Sequence, residues 1–372
     1  MRILIVTKRF SSTTGKDAVL QDFGREIRLG EALQKRHSVT ILAGDHERKE
    51  KFTRYMHRMR AEVRPFTLLK IPEFLGEARR FAKKSDIVVG TTHPLFAFLA
   101  YLAKGRKKFV YDLRDNYETY DFASLPLMRK GIIGRTLMRL VNNFLIRKAD
   151  LAVCVSQSLK SKVGRIRKGR TIVVENGIEG MFKPMPMEKC RKALKLPENA
   201  PIITYIGHVS AERGAKMLLA AFARIRSKYK DAVLLLSGKV DPEINIKQPG
   251  IIWLELPRRE DVVMGINAAN VAVLPQPENE TSRYTFPYKL MEYMACNTRV
   301  VATAIGDVKE VLKDHPDQLA RPEAHDLAEK IIACLRKKGK ADYNSIVEKY
   351  SWQRLGDKLE ESISAFAAQE KG

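Results

Sequence analysis

The sequence is poor in the features that mark secreted, disulfide-rich or membrane-spanning proteins. Its four cysteines are far apart and form no C-x-x-C pair: Cys154, Cys190, Cys296 and Cys334. That spacing argues against a disulfide framework and against a zinc site, and it fits a reducing compartment. No stretch reaches about 18 uninterrupted apolar residues, so we expect no membrane-spanning helix. The opening MRILIVTKRF has a short apolar run and no small-residue cleavage site, which predicts a first strand and not a signal peptide.

Acidic residues are few relative to basic ones. The 372 residues include 67 Lys and Arg but only 43 Asp and Glu, which gives a formal net charge of +24. This excess favours an anionic partner, which is a phospholipid surface, a phosphorylated substrate or nucleic acid. The sequence contains no recognisable nucleic-acid-binding module, so we expect no nucleic-acid partner.

Two basic segments also contain apolar side chains, at residues 49–60 and 128–148. Cations interleaved with apolar side chains suit an anionic membrane surface. A buried helix with a solvated basic back explains the second segment equally well. Together with the reducing compartment, these segments predict a cytoplasmic protein that is peripheral on the inner face of a membrane.

Short β-branched runs alternate with helical patterns along the whole chain. In the first half, strands are predicted at residues 3–6, 39–43, 86–90, 108–111, 151–155 and 172–174. In the second half, they are predicted at 202–206, 232–237, 251–254, 271–274 and 300–303. Alternation of this kind predicts βα units on parallel sheets, with ligands beyond the carboxyl ends of the strands.

The segment between the two halves interrupts regular structure. Residues 176–186 contain Asn-Gly, a second glycine and two prolines, a density of turn residues that marks a linker. The length of the chain and its 45% of hydrophobic residues suffice for two cores. We expect an α/β protein of two doubly wound domains, residues 1–178 and 179–351. The helical pattern within 352–372 is expected to return to the first domain.

The most informative segment follows the strand predicted at 271–274. A polar loop leads to Pro287, which suits the first turn of a helix, and the free N–H groups of a helix N-terminus attract an anion. Lys289 and Glu292 lie three residues apart and therefore on one helical face. The lysine would offset phosphate charge, and the carboxylate would accept hydrogen bonds from ribose hydroxyls. The pair by itself is also typical of an ordinary surface helix, so its context decides.

The segment P-Y-K-L-M-E-Y-M-A-C and the strand after it resemble the donor-site block of family 4 retaining glycosyltransferases, which have the GT-B fold. Four further segments resemble the family's motifs in order and spacing: residues 112–115, 148–156, 174–182 and 205–214. They read D-L-R-D, K-A-D…S, V-E-N-G-I-E…F and Y-I-G…R-G, respectively. The resemblance covers nearly the whole chain, and its weight comes from five segments in the family's order.

This resemblance implies two Rossmann-like domains that face a central cleft, the first on the acceptor side and the second holding the nucleotide-sugar donor. It implies a hexosyltransferase-like enzyme of glycan biosynthesis. Such an enzyme moves a sugar from a UDP- or GDP-sugar to a lipid-linked or other glycan acceptor, with retention of configuration. We expect no cofactor and no metal ion, because the chain contains no D-x-D motif to hold a metal-bridged diphosphate.

The resemblance also implies roles for donor-binding residues. Glu292 would bind the ribose, while Arg213 and Lys289 would bind the diphosphate, because cations at this place make charge-assisted bonds to phosphate. The other donor-binding candidates would contribute close backbone approach or hydroxyl and N–H contacts: Gly207, Thr281 and Ser282. Each of these three also fits an ordinary strand end or turn.

Three catalytic candidates lie after or at the ends of predicted strands in the first domain: His93, Asp112 and Asp115. A carboxylate or an imidazole at this edge of a sheet is placed to orient an acceptor hydroxyl or to accept its proton. Structural roles remain open for all three, including a salt bridge between Asp115 and Arg114 or a helix cap.

Four positions depart from the family's pattern. Tyr284 stands where the family has the first of two glutamates, and His208 stands where it often has Arg or Lys. Asn297 replaces the usual glycine and Arg299 the usual proline. These departures keep two other functions open. One is a partner subunit with a degenerate catalytic site, and the other is a sugar-nucleotide epimerase of the same fold, which acts without an acceptor.

Overall fold

The computed structural model describes residues 1–9, 24–45, 53–56, 60–117, 132–337 and 339–368. The chain divides into two compact units. Unit 1 consists of Met1–Asn176 and Trp352–Gly372, and unit 2 consists of Gly177–Ser351. The division falls two residues before the boundary that the sequence predicts, and the C-terminal segment belongs to unit 1.

Unit 1 is built on a sheet whose strands are β1 (Arg2–Lys8), β2 (Ser38–Asp45), β3 (Thr53–Met56), β4 (Arg60–Pro65), β5 (Ile87–Thr91), β6 (Lys108–Leu113), β7 (Leu151–Cys154) and β8 (Thr171–Val173). Within the described residues their order is β3-β4-β2-β1-β5-β6-β7-β8. Every neighbouring pair is parallel except β3 and β4, which are antiparallel at the edge. The helices before the linker are α1 (Arg25–Gln34), α2 (Ile71–Lys83), α3 (Pro94–Ala103), α4 (Ile132–Lys148) and α5 (Gln157–Gly164).

Unit 2 contains a fully parallel sheet made of β9 (Ile202–Ile206), β10 (Val233–Ser237), β11 (Ile251–Trp253), β12 (Val271–Leu274), β13 (Arg299–Thr303) and β14 (Leu319–Ala320). Their order in the described residues is β11-β10-β9-β12-β13-β14. Its helices are α6 (Met187–Ala193), α7 (Ala215–Lys228), α8 (Arg259–Asn267), α9 (Glu280–Tyr284), α10 (Tyr288–Ala295), α11 (Val308–Val311), α12 (Ala324–Leu335) and α13 (Asn344–Lys349). Two doubly wound α/β sheets are thus present, which confirms the predicted fold class.

The last helix, α14 (Trp352–Ala368), follows unit 2 in the chain but packs in unit 1. Its buried Leu355, Leu359 and Ile363 recur every four residues and join the same core as Ile27 and Leu33 of α1. A stripe of this spacing lies on one side of a helix, so it is buried only when that side meets an apolar surface. This burial explains why the C-terminal segment returns to unit 1.

The order of the strands reverses at one place in each sheet. In unit 1 the reversal lies between β1 and β5, and in unit 2 it lies between β9 and β12. At such a switch point the loops after the two strands diverge and leave a crevice, which is where ligands bind in open parallel sheets. The loops after β9 and β12 are residues 207–214 and 275–287, which contain most of the predicted donor-binding residues.

The basic segments predicted to contact a membrane are only partly described. Residues 46–52, 57–59 and 118–131 lie outside the described residues. The described part of 49–60 contains β3 and the start of β4, two strands that the sequence analysis did not predict. In the parts of the chain that the structure describes, no helix has the length and apolar content needed to cross a bilayer.

Candidate functional site

The two loops at the switch point of unit 2 are in direct contact. Gly214 has a φ of +84°, and a Cβ atom there would lie 1.6 Å from the carbonyl oxygen of Pro275, so only glycine fits. The side-chain amide of Asn279 donates a hydrogen bond to the carbonyl of Glu212 at 3.2 Å. These contacts hold the loop after β9 against the loop after β12, and the predicted donor-binding residues lie on this pair of loops and on α10.

Gly207 marks the carboxyl end of β9 and has a φ of +142°. A Cβ atom at this position would lie 2.2 Å from Cε of Lys289. The resemblance implies close backbone approach at Gly207, and the group that approaches in the structure is the Lys289 side chain. The positive φ restricts this position to glycine, and the flexible end of the Lys289 side chain lies in the space that a Cβ atom would occupy.

Lys289 extends from the first turn of α10 toward β9. Its Nζ donates a hydrogen bond to the hydroxyl of Tyr205 at 3.0 Å and lies 4.5 Å from the centroid of the same ring. Burial, followed by the positive charge of Arg213, lowers the pKa of Lys289 to about 7, against the opposing effect of Glu292. Near neutral pH this side chain is therefore divided between its charged and neutral forms, and a nearby anion would favour the charged form.

Arg213 ends a short 3-10 turn, Ala211–Arg213, and its side chain is exposed. The described residues offer its guanidinium no hydrogen-bond or ion-pair partner. A guanidinium carries a fixed fork of donors that matches phosphate or carboxylate oxygens. Arg213 and Lys289 thus form a pair of cations in which neither is held by a carboxylate within hydrogen-bonding distance.

Glu292 lies one turn after Lys289 on α10 and is buried. Its Oε1 accepts a hydrogen bond from Arg259 at 3.0 Å, and Arg259 also donates to Glu179 at 2.9 Å. The Arg259 guanidinium lies 4.8 Å from the ring centroid of Phe182. Burial opposes the charge of Arg259, but the carboxylates of Glu292 and Glu179 outweigh it and raise the pKa of Arg259 above its usual value.

Sequence analysis does not identify Arg259 and Tyr205 as functional residues. Arg259 follows another arginine at the start of α8, a position that also suits an ordinary solvated helix end. Glu179, its second partner, belongs to the V-E-N-G-I-E segment that resembles the family motif. That motif was a signal for Glu179, whereas nothing in the sequence pairs it with Arg259, which lies 80 positions away.

Thr281 and Ser282 lie in the short helix α9. The Asn279 side chain caps this helix and accepts the backbone N–H of Ser282 at 2.8 Å. The Thr281 carbonyl accepts a hydrogen bond from the Thr285 hydroxyl at 2.8 Å. The Ser282 N–H is therefore used within the loop, while Thr281 is only partly buried.

The departures from the family's pattern have different local explanations. Asn297 has a φ of +51° and follows the end of α10, where its N–H donates to the Met294 carbonyl at 2.8 Å. This is the left-handed position that usually takes glycine after a helix, and asparagine tolerates it well. His208 is different, because its Nε2 lies within hydrogen-bonding distance of the Asp241 carboxylate. Glu278 forms an exposed ion pair with Arg283 at 2.8 Å.

Asp112, a catalytic candidate of unit 1, is buried in an ion pair. Both of its carboxylate oxygens accept hydrogen bonds from Arg25 at 2.9–3.1 Å, and it accepts the Thr91 hydroxyl at 2.7 Å. Arg25 is fully buried and also donates to the carbonyl of Glu175 at 2.7 Å. These contacts connect α1, β5, β6 and residue 175, and they favour the structural alternative for Asp112.

His93 and Asp115 lie closer to the surface of unit 1. Asp115 accepts the backbone N–H of Asn116 at 2.9 Å, a local turn contact. His93 caps α3, because its Nδ1 accepts the N–H of Leu95 at 3.2 Å. In the neutral imidazole, this contact leaves the proton on Nε2. His93 therefore has a structural role through one nitrogen and a proton-bearing group on the other.

The residue before His93 has an unusual backbone. Thr92 follows β5 at the switch point of unit 1 and has a φ of +77°, an outlier for a β-branched residue. Its hydroxyl is hydrogen bonded to that of Thr7 at the end of β1. Strained residues of this kind concentrate at ligand-binding sites. Among the three catalytic candidates, His93 is thus the one that lies next to a strained residue at the switch point of unit 1.

The described residues contain no group of three or more His, Cys, Asp or Glu side chains arranged to hold a metal ion. The unit 2 site can bind an anion through Arg213 and Lys289, and it offers a carboxylate one helical turn deeper.

Two family models match the chain. The model described as glycosyl transferases group 1 matches residues 200–337, and the model described as glycosyltransferase family 4 matches residues 27–179. The first match covers most of unit 2 and its switch-point loops, and the second covers most of unit 1.

Curated relatives are similar at low identity. Alpha-maltose-1-phosphate synthase of Mycolicibacterium smegmatis is 25% identical over 57% of this chain and 62% of its own length. The gpi3 subunit of phosphatidylinositol N-acetylglucosaminyltransferase of Schizosaccharomyces pombe is 21% identical over 61% of this chain and 51% of its own. Lipopolysaccharide 1,2-N-acetylglucosaminetransferase of Salmonella typhimurium is 24% identical over 54% and 58%, respectively. The matches thus span between half and two thirds of these relatives.

Solved structures match over almost the full chain. Sucrose-phosphate synthase from Thermosynechococcus elongatus superposes with a TM-score of 0.74 at 19% identity, covering 99% of both chains. Anabaena HepE, solved in complex with UDP and glucose, superposes with a TM-score of 0.72 at 19% identity, covering 98% of this chain and 100% of its own. At these identities, the matches establish the fold.

Proposed function

Because this chain belongs to the family 4, group 1 glycosyltransferases and has their GT-B fold, we propose that it is a retaining, nucleotide-sugar-dependent enzyme with a lipid-linked or other membrane-proximal acceptor. Unit 2 binds the UDP- or GDP-sugar, and unit 1 binds the acceptor. Support for the donor comes from HepE, whose solved complex contains UDP and glucose. Support for the acceptor comes from relatives named for phosphatidylinositol and lipopolysaccharide.

The observation that carries this proposal is the pair of cations at the unit 2 switch point. Arg213 has no carboxylate partner among the described residues, and Lys289 is held near half-protonation. Such cations stabilise the charge that develops on a departing diphosphate. A bound anion raises the lowered pKa of Lys289, because opposite charge favours the protonated form. The chain's own cations thereby serve where other enzymes use a metal ion.

Glu292 supplies the contact to the ribose. Its carboxylate is already oriented by Arg259, and Arg259 is oriented in turn by Glu179 and by the ring of Phe182. An oriented carboxylate loses little side-chain entropy when it accepts the hydroxyl of a sugar. Arg259 is therefore a positioning residue for Glu292 in this proposal.

His93 is the acceptor-side candidate that we favour. It is partly exposed at the unit 1 switch point, next to the strained Thr92, whereas Asp112 has its oxygens engaged by Arg25 and Thr91. The Nε2–H of the imidazole donates a hydrogen bond that orients the acceptor hydroxyl. Asp115 is the second candidate, because it is only partly buried.

The membrane-proximal part of the proposal is supported by the surface of α4. Its exposed side chains include Leu137 and Leu140, which is 59% exposed, beside the exposed Arg135 and Arg139. Leucines and arginines on one exposed helix suit an anionic lipid surface, where the leucines insert and the arginines contact headgroups. We propose that this helix brings unit 1 to the membrane that holds the acceptor.

Turnover with defined sugars tests the proposed function. The purified protein is incubated with labelled UDP- and GDP-sugars and with membrane lipid extract, and the product is analysed by NMR for its anomeric configuration. We expect transfer to lipid with the donor's configuration retained and with release of the nucleoside diphosphate. Inversion of configuration would contradict the retaining mechanism. A changed sugar nucleotide without acceptor would instead identify an epimerase.

One observation favours a second candidate, a partner subunit with a degenerate site. His208, which stands where the family often has a cation, is paired with Asp241. Asn297 does not support this reading, because its left-handed backbone explains it. Tight binding of a nucleotide sugar without any turnover, in the presence of the lipid extract, would support the partner subunit over the enzyme.

A further inference from the structure

A cavity of about 270 Å³ opens in unit 1 at the amino-terminal ends of its strands. This is the end of the sheet opposite to the loop that carries His93, because all strands that line the cavity run parallel. Ligands of the reaction are expected beyond the carboxyl ends of the strands. The cavity therefore lies outside the proposed acceptor region and in a different unit from the donor-binding residues.

The register of the strands explains which side chains meet there. Arg2 pairs with Ser38 across β1 and β2, and Thr40 pairs with Arg60 across β2 and β4. Paired residues of neighbouring parallel strands project to the same face, and Ser38 and Thr40 are two apart in β2. Two guanidiniums and two hydroxyl groups therefore share one face of the sheet.

The end of α2 contributes two more cations to the cavity. Arg80 and Lys84 lie four residues apart, so they are neighbours on one side of the helix. The ring of Phe81 also lines the cavity, and the guanidinium carbons of Arg80 and Arg60 lie 4.9 and 6.0 Å from its centroid. Cation–π contact with one ring holds both guanidiniums in place.

Three of the four cations have carboxylate partners that do not line the cavity. Arg2 pairs with Asp86 at 3.3 Å, Arg60 with Glu62 at 3.1 Å and Arg80 with Glu77 at 2.6 Å. These carboxylates orient the guanidiniums but do not line the cavity themselves, so its charged lining groups are all hydrogen-bond donors. The ammonium of Lys84 has no hydrogen-bond or ion-pair partner among the described residues. Glu62 and Glu77 also pair with Arg64, so positive charge remains in excess around the cavity.

The chemistry of this wall matches one class of ligand. Three guanidinium forks, one ammonium and three hydroxyls line a small space, and of the hydroxyls the one of Ser85 already donates to the Phe81 carbonyl. A carboxylate presents only two oxygens, whereas a phosphomonoester presents three terminal oxygens and a charge of about −1.5 to −2. The volume approaches the lower end of the roughly 300–1,000 Å³ typical of ligand pockets, which leaves room for part of an organic group.

We propose that this cavity binds a phosphomonoester group, either of a soluble compound or of a lipid headgroup. The proposal does not depend on the proposed transferase activity, because it uses none of the residues assigned to the donor or the acceptor.

Binding of glycerol 3-phosphate and of inorganic phosphate tests the proposal. The measurement is made by calorimetry in the Lys289→Gln background, which removes the other phosphate-binding lysine. Adding Arg60→Gln and Lys84→Gln should weaken glycerol 3-phosphate binding at least tenfold. The matched control adds Arg106→Gln and Lys83→Gln, which remove the same charge from exposed positions outside the cavity, and it should change binding less than twofold.

An equal loss of affinity for glycerol 3-phosphate in the two double variants would overturn the proposal, because the binding would then depend only on the net charge of the protein. No binding of glycerol 3-phosphate at millimolar concentration in the Lys289→Gln background would overturn it as well. Circular dichroism and the unfolding midpoint establish that each variant is folded before its affinity is compared.

Vesicles separate the two sources of the phosphomonoester. Phosphatidic acid carries a phosphomonoester headgroup, whereas phosphatidylglycerol carries a diester of the same sign of charge. If the headgroup is the ligand, the protein should prefer phosphatidic acid, and Arg60→Gln with Lys84→Gln should remove that preference. If the preference is absent while glycerol 3-phosphate binding depends on the two residues, the ligand is a soluble compound.

Discussion

Each unit has a charged cluster near the carboxyl ends of its parallel strands, and the surroundings of the two clusters differ. In unit 1, Asp112 near the end of β6 is enclosed with the fully buried Arg25. In unit 2, Arg213 and Lys289 lie at the switch point with no carboxylate within hydrogen-bonding distance in the described residues. In the first cluster each charge has a partner of opposite charge within hydrogen-bonding distance, and we call this cluster complete. The second cluster has no such partner among the described residues, and we call it incomplete. The complete cluster connects elements of the fold, and we propose that the incomplete one binds a ligand of opposite charge.

This comparison shows why residue type alone does not assign function at a strand end. A buried charge must be paired, because the loss of water costs several kcal/mol per ion. Arg25 and Asp112 satisfy each other, with further contacts to Thr91 and the Glu175 carbonyl. Lys289 is only partly removed from water, and it is compensated by a hydroxyl, a ring and a more distant carboxylate. Its lowered pKa expresses this incomplete compensation.

The largest expected effect comes from breaking the complete cluster. Asp112→Ala leaves Arg25 buried without its carboxylate, so the free energy of unfolding should fall by about 3–5 kcal/mol in urea denaturation. Asp115→Ala, the control, should cost about 0.5 kcal/mol. An Asp112→Ala protein of normal stability that has lost turnover would return Asp112 to the catalytic candidates.

The second prediction removes the incomplete cluster. Arg213→Gln with Lys289→Gln should weaken nucleoside diphosphate binding roughly a hundredfold, about 2.7 kcal/mol by calorimetry. The bare nucleoside should bind as before, because the lost partners are phosphate oxygens. Arg224→Gln with Lys349→Gln removes the same charge from exposed positions of unit 2 and should change neither affinity. Equal losses for nucleoside and diphosphate would indicate general damage.

The third prediction concerns pH and sharpens the meaning of the lowered pKa. The pKa of Lys289 is about 7 in the free protein, and a bound diphosphate raises it because opposite charge favours the protonated form. Binding above pH 7 therefore takes up a proton, and affinity should fall as the pH rises. The limit is about tenfold, or 1.4 kcal/mol, per pH unit.

Calorimetry between pH 7.5 and 9 in buffers of different ionisation enthalpy measures both the affinity and the proton uptake. Lys289→Arg keeps its charge over this range and is the matched control, so it should bind without proton uptake. Proton uptake by Lys289→Arg equal to that of the wild type would remove Lys289 as the titrating group.

The fourth prediction tests the carboxylate of Glu292, whose partner Arg259 is shared with Glu179. Glu292→Ala should raise the dissociation constant for the nucleoside diphosphate about tenfold, roughly 1.4 kcal/mol, because a ribose contact is lost. Arg259 keeps Glu179 in this variant, which preserves the fold. Glu179→Ala is the matched control, since it removes the other partner of Arg259 and should weaken binding less. Unchanged affinity in folded Glu292→Ala would rule out the ribose role.

The last prediction concerns cations that are exposed in unit 1. Arg135→Glu with Arg139→Glu should reduce sedimentation with phosphatidylglycerol vesicles, because each cation near an anionic surface contributes on the order of 1 kcal/mol. Salt should weaken wild-type binding, since the Debye length is about 8 Å at physiological ionic strength. Nucleotide affinity should not change. Binding to neutral vesicles as strong as to anionic ones would contradict the electrostatic part of the proposal.

The strands that the sequence predicts differ in composition from the strands that only the structure reveals. The run Ile3–Val6 within β1 and the whole of β12 are continuous buried Ile, Leu, Val and Ala, which predict interior parallel strands directly. β4 reads R-A-E-V-R-P, and because of its charged residues the sequence does not predict a strand there. Glu62 in this strand is fully buried because Arg60 and Arg64 pair with it. Local composition cannot show that a charge will be neutralised by its neighbours.

The sequence by itself determined the two α/β units, the linker, the return of α14 and the order of the donor-block motifs. These features depend on local periodicity and turn residues, which act over a few positions. Only the tertiary structure decided which charged side chains have a partner of opposite charge within hydrogen-bonding distance. Arg25 meets Asp112 across 87 positions, and Lys289 meets Tyr205 across 84. Electrostatic energy depends on distance and burial in space, so the same residue types become a structural ion pair in unit 1 and a proposed anion site in unit 2.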